Sequence, residues 1–152
     1  MLEAKRAGAF SARYDILLDG RPLTRWDGSW WRSGGAFTLD GQRYEVSSNL
    51  WGSEFTMSDQ VGGVVASAGK LGRRNWALLT GGRTYQFRRA SWWRQQEDLV
   101  LDDRPVGSVR STSMWRGTAQ ADLPGLPLPA QVFALAIVLT MWEAQNNSAA
   151  VI

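Results

Sequence analysis

The stretch LPLPAQVFALAIVLTMW, residues 126–142, is the most apolar segment of the chain and decides how the chain folds. Pro127 and Pro129 stand at its start, where a missing N–H group breaks no helical hydrogen bond. Residues 130–142 contain neither Gly nor Pro. We therefore predict a helix over residues 129–145 that ends near Asn146-Asn147, because Asn readily adopts the left-handed conformation of a helix cap.

Apolar side chains cover the whole circumference of this helix, and a helix of that kind must be surrounded. The predicted core of the helix consists of Val132, Phe133, Leu135, Ala136, Ile137, Val138, Leu139, Met141 and Trp142. Residues 130–142 span about 20 Å as a helix, which is short of the roughly 30 Å hydrocarbon layer of a membrane. No Lys or Arg follows the segment, although membrane anchors usually carry them. A core helix is favoured, and a short tilted anchor remains the alternative.

Short strand-like segments separated by turn signals fill the chain before residue 124. The turn signals are Asp19-Gly20, Asp27-Gly28, Gly34-Gly35, Asp40-Gly41, Gly62-Gly63 and Gly81-Gly82. Apolar and polar residues alternate between them, as in QRYEVS (residues 42–47) and RTYQFRR (residues 83–89). Alternation with period two is typical of strands with one buried face.

Internal repeats relate these segments to one another. FTLDGQRYEVSSNLW (residues 37–51) matches LLTGGRTYQFRRASW (residues 78–92) at an offset of 41, and the match continues at an offset of 44, which places Met57 on Leu101. A third copy of the hairpin, ILLDGRPLT (residues 16–24), opens the chain. This order predicts a closed antiparallel barrel of about 12 strands, in two hairpin-repeat halves, around the C-terminal helix.

The chain of 152 residues is expected to form a single domain. We place the barrel wall at residues 10–122 and the central helix at residues 129–145, and we expect residues 1–9 and 148–152 to be flexible. The N-terminal sequence has no apolar region typical of a secretory signal.

Composition excludes several kinds of chemistry. The chain has no Cys and no His, which removes thiol nucleophiles, the commonest metal ligands and the usual acid–base residue. We therefore predict no catalytic residues, no metal and no cofactor, and we expect the protein not to be an enzyme. The net charge is +3, and fifteen of the seventeen basic residues are Arg, a side chain suited to bidentate contact with phosphate.

A basic, Trp-containing surface is the candidate binding site. Its predicted members are Lys70, Arg73, Arg74, Arg83, Arg88, Arg89, Arg94 and Trp93. Trp93 belongs to SWWR, which occurs at residues 29–32 and again at 91–94; the repeat suggests that Trp92 points inward and Trp93 outward. An exposed Trp beside Arg suits a membrane interface, a cation–π contact or a protein partner, whereas the alternative is that both Trp rings pack under neighbouring loops. The alternative is an ordinary solvated face on which these cations pair with Glu97, Asp98 and Asp103.

The sequence resembles the tubby C-terminal-like superfamily, and is most similar in pattern to the short bacterial LURP-one-related and phospholipid scramblase-like members. The resemblance rests on LLDGRPLT, LVLDDRPVGSV, FTLDGQRYEV and PLPAQVFALAIVLTMW, and covers nearly the whole chain. It implies a barrel wrapped around a hydrophobic helix, and a lipid-contacting or adaptor module without catalysis. No segment matches the lipid-binding residues of tubby or a calcium motif of scramblases, so no functional residue is carried over.

We therefore expect a non-enzymatic module that contacts anionic phospholipid or a protein partner, in the cytoplasm and peripherally at the membrane. Two alternatives stay open: a barrel that binds a small apolar ligand, and a protein tethered to the membrane by its C-terminal segment. Nucleic acid is disfavoured as a partner, because the net charge is small and no nucleic-acid-binding motif is present.

Overall fold

The computed structural model describes residues 1–8, 11–28, 34–91, 94–113 and 116–150, of which residues 147–150 are described through the helix backbone alone. The described chain forms strands followed by one helix. The strands are β1 (Leu2–Arg6), β2 (Arg13–Leu18), β3 (Arg21–Gly28), β4 (Gly35–Leu39), β5 (Gln42–Ser48), β6 (Phe55–Ser58), β7 (Val64–Gly69), β8 (Asn75–Thr80), β9 (Arg83–Arg89), β10 (Gln96–Leu101), β11 (Arg104–Ser113) and β12 (Thr118–Asp122), and the helix is α1 (Leu128–Ala150).

The strands close into a barrel in which each strand pairs antiparallel with its neighbours in the chain. Pairing of β1 with β12, from Leu2 opposite Ala121 to Lys5 opposite Thr118, completes the ring. A closed ring leaves no unpaired sheet edge. The predicted fold, a closed antiparallel barrel with a C-terminal helix, is confirmed.

Two-residue turns with left-handed backbone join several of the hairpins. Asp19 and Gly20, Asp40 and Gly41, Gly81 and Gly82, and Asp102 and Asp103 all have positive φ. Positive φ at both central residues matches the right-handed twist of the flanking strands, and Gly, Asn and Asp tolerate it best. These turn signals in the sequence therefore fixed the hairpins correctly.

Asp27-Gly28 is not a turn, because both residues lie in β3. The glycines here allow close packing instead. A Cβ on Gly35 would lie 2.8 Å from the indole ring of Trp26, and one on Gly28 would lie 2.8 Å from the carbonyl oxygen of Ala12. The predicted turn is wrong because glycine occurs where two segments of backbone or side chain pack closely, as well as where the chain reverses.

Three hairpins that share sequence also share a register shift at the same place. The shift follows Ile16 in β2, Met57 in β6 and Leu99 in β10, and all three side chains are buried. Met57 thus corresponds to Leu99, and its predicted match with Leu101 is wrong. The β6–β7 turn (residues 59–63) is longer than the β10–β11 turn (residues 102–103), so an ungapped sequence alignment that matches the strands after the turns misplaces the strands before them.

The wall of the barrel begins at Leu2 rather than at residue 10. Leu2 and Ala4 are fully buried, and β1 supplies the strand that closes the ring. The prediction that residues 1–9 form a flexible end is therefore wrong for Leu2–Arg6, a segment without β-branched or aromatic residues. Burial of alternate side chains against neighbouring strands overrides that weak local preference.

Helix α1 fills the interior of the barrel. All the residues predicted as its core are buried: Val132, Phe133, Leu135, Ala136, Ile137, Val138, Leu139, Met141 and Trp142. They pack against inward-facing wall residues that include Trp26 and Trp76. Trp76 stacks on Phe87 with ring centroids 4.2 Å apart. The wall supplies the surroundings that an all-apolar helix requires.

The helix is longer than predicted, because it begins at Leu128 and continues through Asn146-Asn147 to Ala150. The helix continues past Asn146-Asn147 because no Gly or Pro, the residues that most often end a helix, follows before Ala150. The side-chain amide of Gln131 donates to the carbonyl of Leu126 at 2.8 Å. This bond and the two prolines define the start of the helix, which lies one residue before the predicted residue 129.

The greater length removes one argument against a membrane span. Twenty-three residues give a helix of roughly 34 Å, and by length and composition Leu128–Asn146 could cross a membrane. Burial, and not length, favours a core helix over a membrane span, because 61% of the Leu128–Asn146 window lies inside the protein. The strands of this chain surround the helix in the structure.

Candidate functional site

The two ends of the barrel differ in structure. One end, called the turn end below, carries the two-residue hairpin turns and the start of α1, and there the amide of Asp19 donates to the carbonyl of Met1. The other end, called the loop end, carries the longer β5–β6, β7–β8 and β9–β10 connections and the last turns of α1. Gln95 donates to the Oδ1 atom of Asn146 at 3.3 Å, which joins a connection to the helix there.

The two ends also differ in charge. The turn end carries a set of aspartates at or beside its turns, namely Asp19, Asp40, Asp59, Asp102, Asp103 and Asp122, with the cations Arg21, Arg83 and Arg104. The loop end exposes the cations Lys70, Arg73, Arg74, Arg94 and Arg116. Among the residues that the structure describes, exposed charge is therefore mainly negative at the turn end and mainly positive at the loop end.

Four of the predicted basic residues lie at this end: Lys70, Arg73, Arg74 and Arg94. Lys70 has φ +64°, and the amide of Arg73 donates to its carbonyl at 3.2 Å, which closes a tight turn. The amide of Arg89 donates to the carbonyl of Arg74 at 2.8 Å. The β7–β8 connection thereby presents three cations from one turn held against β9.

Three of the predicted basic residues do not belong to this group. Arg83 lies at the first position of β9, at the turn end, about 20 Å along the strand from Arg89. The guanidinium of Arg88 lies 3.1 Å from Asp103, and that of Arg89 lies 3.7 Å from the buried Glu97. The prediction of one patch from all seven was wrong, because strand direction and ion pairing separate residues that are close in sequence.

Trp93, the aromatic member of the predicted site, lies outside the described residues, as do Trp92 and both tryptophans of the first SWWR. Another aromatic residue is exposed at the loop end. Leu50 is 99% and Trp51 is 87% exposed in the β5–β6 connection. Trp51 aligned with Trp92 in the repeat, so that alignment does not support an inward Trp92. Sequence reasoning missed Trp51 because a repeat position gives no information about exposure.

A groove of about 440 Å³ lies beside these two residues. Its lining consists of Leu50, Trp51, Gly52, Phe55, Leu71, Gly72, Thr140, Met141, Ala144 and Gln145. The β5–β6 connection forms one side of the groove, the β7–β8 connection another and the end of α1 a third. The amide of Leu71 donates to the carbonyl of Ser53 at 3.0 Å, which holds the two connections together.

Glu97 is a buried carboxylate that the sequence analysis placed on the solvated face. Its side chain is 1% exposed, and its Oε1 atom accepts a hydrogen bond from the indole N–H of Trp76 at 3.1 Å. Burial raises the pKa of Glu97 to about 7, against the opposing effects of Arg89 and Trp76. The alternation in QEDLVL was the available signal, since it puts Glu97 on the same face as Leu99.

A second polar cluster joins α1 to the wall at the loop end. The hydroxyl of Tyr14 donates to Oε1 of Glu143 at 2.6 Å, and the guanidinium of Arg6 lies 3.6 Å from the same oxygen. Burial, and then the hydrogen bond to the Glu143 carboxylate, raise the pKa of Tyr14 to about 12. This cluster fixes the helix to β1 and β2 rather than forming an open site.

Among the described residues, no group of three or more carboxylates is placed to hold a metal ion. Asp102 and Asp103 form a hairpin turn, where positive φ accounts for their presence. No protein-family model, no curated protein and no solved structure matches this chain. The geometry of the loop end therefore carries the functional argument.

Proposed function

We propose that the protein is a non-enzymatic, tubby-like barrel module that binds anionic phospholipid surfaces through its loop end. The observation that carries this proposal is the exposure of Leu50 and Trp51 beside the cations of the β7–β8 turn. Trp is favoured at the boundary between lipid and water. Each cation near an anionic membrane contributes roughly 1 kcal/mol. The protein is then peripheral at the cytoplasmic face of the membrane.

The charge difference between the two ends supports this orientation. An anionic membrane attracts the loop end, with Lys70, Arg73 and Arg74, and repels the aspartates of the turn end. Electrostatic attraction brings the protein to the surface, and the apolar side chains then enter the interfacial layer. Adsorption of this kind weakens as salt screens the charges.

The structure weighs against the two alternative functions. A barrel for a small apolar ligand needs an open interior, whereas the side chains of Phe133, Leu135 and Ile137 fill the space along its axis and are fully buried. A membrane anchor needs α1 outside the barrel. Withdrawal of α1 would expose the whole apolar lining of the wall to water, at about 25 cal/mol for each Å².

Vesicle flotation tests the proposal. We expect the protein to float with phosphatidylglycerol-containing vesicles at low salt and to remain behind with pure phosphatidylcholine vesicles. The double variant Arg73→Glu with Arg74→Glu should lose binding. Its matched control is Arg21→Glu with Arg83→Glu, which changes the net charge equally at the turn end.

A second pair of variants tests how much the exposed apolar side chains contribute to vesicle binding. Leu50→Ser with Trp51→Ser should weaken flotation, whereas Val61→Ser with Leu101→Ser, two exposed apolar residues at the turn end, should leave it unchanged. Equal loss of binding in the loop-end and turn-end variants would show nonspecific adsorption. Absence of flotation for the wild-type protein at low salt would leave a protein partner as the better explanation of this surface.

A further inference from the structure

We infer that the groove beside Leu50 and Trp51 receives a single acyl chain of an anionic phospholipid, whose charged head group lies against the β7–β8 turn. The inference rests on the proposed membrane contact and specifies its ligand. It concerns the groove and the basic turn as one site, because the β7–β8 connection contributes Leu71 and Gly72 to the groove and the cations Lys70, Arg73 and Arg74 beside it.

The apolar part of the site comes from three elements. Phe55, Leu71 and Met141 line the groove and are almost fully covered by the protein around them, while Leu50 and Trp51 stand exposed at its mouth. The hydroxyl of Thr140 donates to the carbonyl of Ala136 at 2.9 Å, so this donor is already satisfied within the helix. An acyl chain makes no hydrogen bonds, and in the groove it would remove the exposed side chains of Leu50 and Trp51 from water.

The cationic rim adjoins this channel directly. Leu71 and Gly72 line the groove, and Lys70, Arg73 and Arg74 immediately precede and follow them in sequence. Glu54 is the exposed carboxylate at the β5–β6 side of the same end. The juxtaposition fits a ligand with one apolar chain and a negatively charged head, since a cation favours phosphate and an uncharged amphiphile gains nothing from it.

The site is held in place before a ligand arrives. The Oδ1 atom of Asn49 accepts hydrogen bonds from the amides of Ser53 at 2.9 Å and Glu54 at 3.2 Å, which fixes the connection that carries Leu50 and Trp51. The guanidinium of Arg89 donates to the carbonyl of Gly72 at 3.4 Å. A preorganised site loses less conformational entropy on binding.

Titration with monomeric lysolipids tests the inference without a membrane. Lauroyl lysophosphatidylglycerol and lauroyl lysophosphatidylcholine share a chain and differ in net charge. Each is added below its critical micelle concentration to the full chain labelled at the methionine methyl groups. We expect the anionic lysolipid to shift the Met141 resonance saturably, to leave Met1 at the turn end unchanged, and to bind roughly tenfold more tightly than the zwitterionic one.

Two variants locate the site. Ala144→Trp fills the groove from an exposed helix position and should abolish the Met141 response, whereas the control Val61→Trp at the turn end should not. Arg73→Glu with Arg74→Glu should remove the preference for the anionic lysolipid. Binding that survives Ala144→Trp, or equal affinity for both lysolipids, would overturn the inference.

The two proposals fail in different ways. If the wild-type protein floats with anionic vesicles but Met141 does not respond to the anionic lysolipid, the groove inference is wrong and the membrane contact stands. If Met141 responds but the protein does not float, the groove is supported and the membrane contact is contradicted.

Discussion

The indole N–H of Trp76 donates a hydrogen bond to the buried carboxylate of Glu97 across 3.1 Å. Glu97 stands two residues before the register shift of its hairpin, as Tyr14 and Phe55 do in the related hairpins. In the two related hairpins, the position equivalent to Glu97 is occupied by an aromatic side chain. The exception places an ionisable group in contact with Trp76, which stacks on Phe87, and with Arg89, which donates to the β7–β8 turn at Gly72.

Stability should fall as pH rises through the titration of Glu97. The pKa of this carboxyl in the folded protein, about 7, lies above its ordinary value of 4.5, so the folded state holds the proton more tightly. The resulting stabilisation is complete below pH 4.5 and is lost as pH passes 7, by at most roughly 3 kcal/mol. Urea unfolding of wild type and Glu97→Gln across this range measures it. The difference between the two proteins should change with pH, and a difference that stays constant across the range would contradict the titration of Glu97.

Tyr14→Phe should loosen the contact between α1 and the wall. It removes a hydrogen bond to the Glu143 carboxylate, and a bond to a charged group contributes about 1.5–3 kcal/mol. Tyr85→Phe, which removes a longer bond to the carbonyl of Gly125 at an exposed position, is the control and should cost less. Equal losses of unfolding free energy in the two variants would contradict the special role of the Tyr14 cluster.

Tyr14 should also ionise at a higher pH than an ordinary tyrosine. Its pKa is raised from 10.0 to about 12, so the stabilisation linked to its proton is present below pH 10 and is lost as pH rises through 12. Absorbance titration of wild type minus Tyr14→Phe should isolate this step. A step near pH 10 in that difference would contradict the buried hydrogen bond.

The central helix should be indispensable to folding. Phe133 is fully buried inside the barrel, and Phe133→Ala should cost about 3–5 kcal/mol in denaturant unfolding. Deletion of residues 126–152 should leave no cooperative unfolding transition. A folded, soluble remainder after that deletion would instead indicate an anchor that lies outside the barrel.

Two glycine-to-alanine substitutions should have different effects on the stability of the protein. A Cβ on Gly107 would lie 2.3 Å from the carbonyl oxygen of Asp122, so Gly107→Ala should destabilise the β11–β12 pair. A Cβ on Gly69 meets nothing within 4 Å, so Gly69→Ala should be neutral or stabilising by up to about 1 kcal/mol. Thermal unfolding of both variants checks this difference.

Local patterns in the sequence were enough to define the architecture. The alternation around Tyr44, Val46 and Phe87 assigned inward faces correctly, and turn residues such as Asp40-Gly41 placed the hairpins. The all-apolar helix required an enclosure, and enough strands preceded it to form one. These features depend on short-range chemistry, so they can be read from the chain without knowing its fold.

The site depended on contacts between residues far apart in sequence. Strand direction placed Arg83 at the opposite end from Arg73, and cross-strand pairing committed Arg89 to Glu97. Exposure of Trp51 follows from where the β5–β6 connection leaves the barrel. Apart from β1 and the Asp27-Gly28 signal, the sequence by itself determined the strand pattern, the two-residue turns and the central helix through period and backbone preference. Only the closed barrel decided which charges are exposed together, because its registers set the neighbours of every side chain.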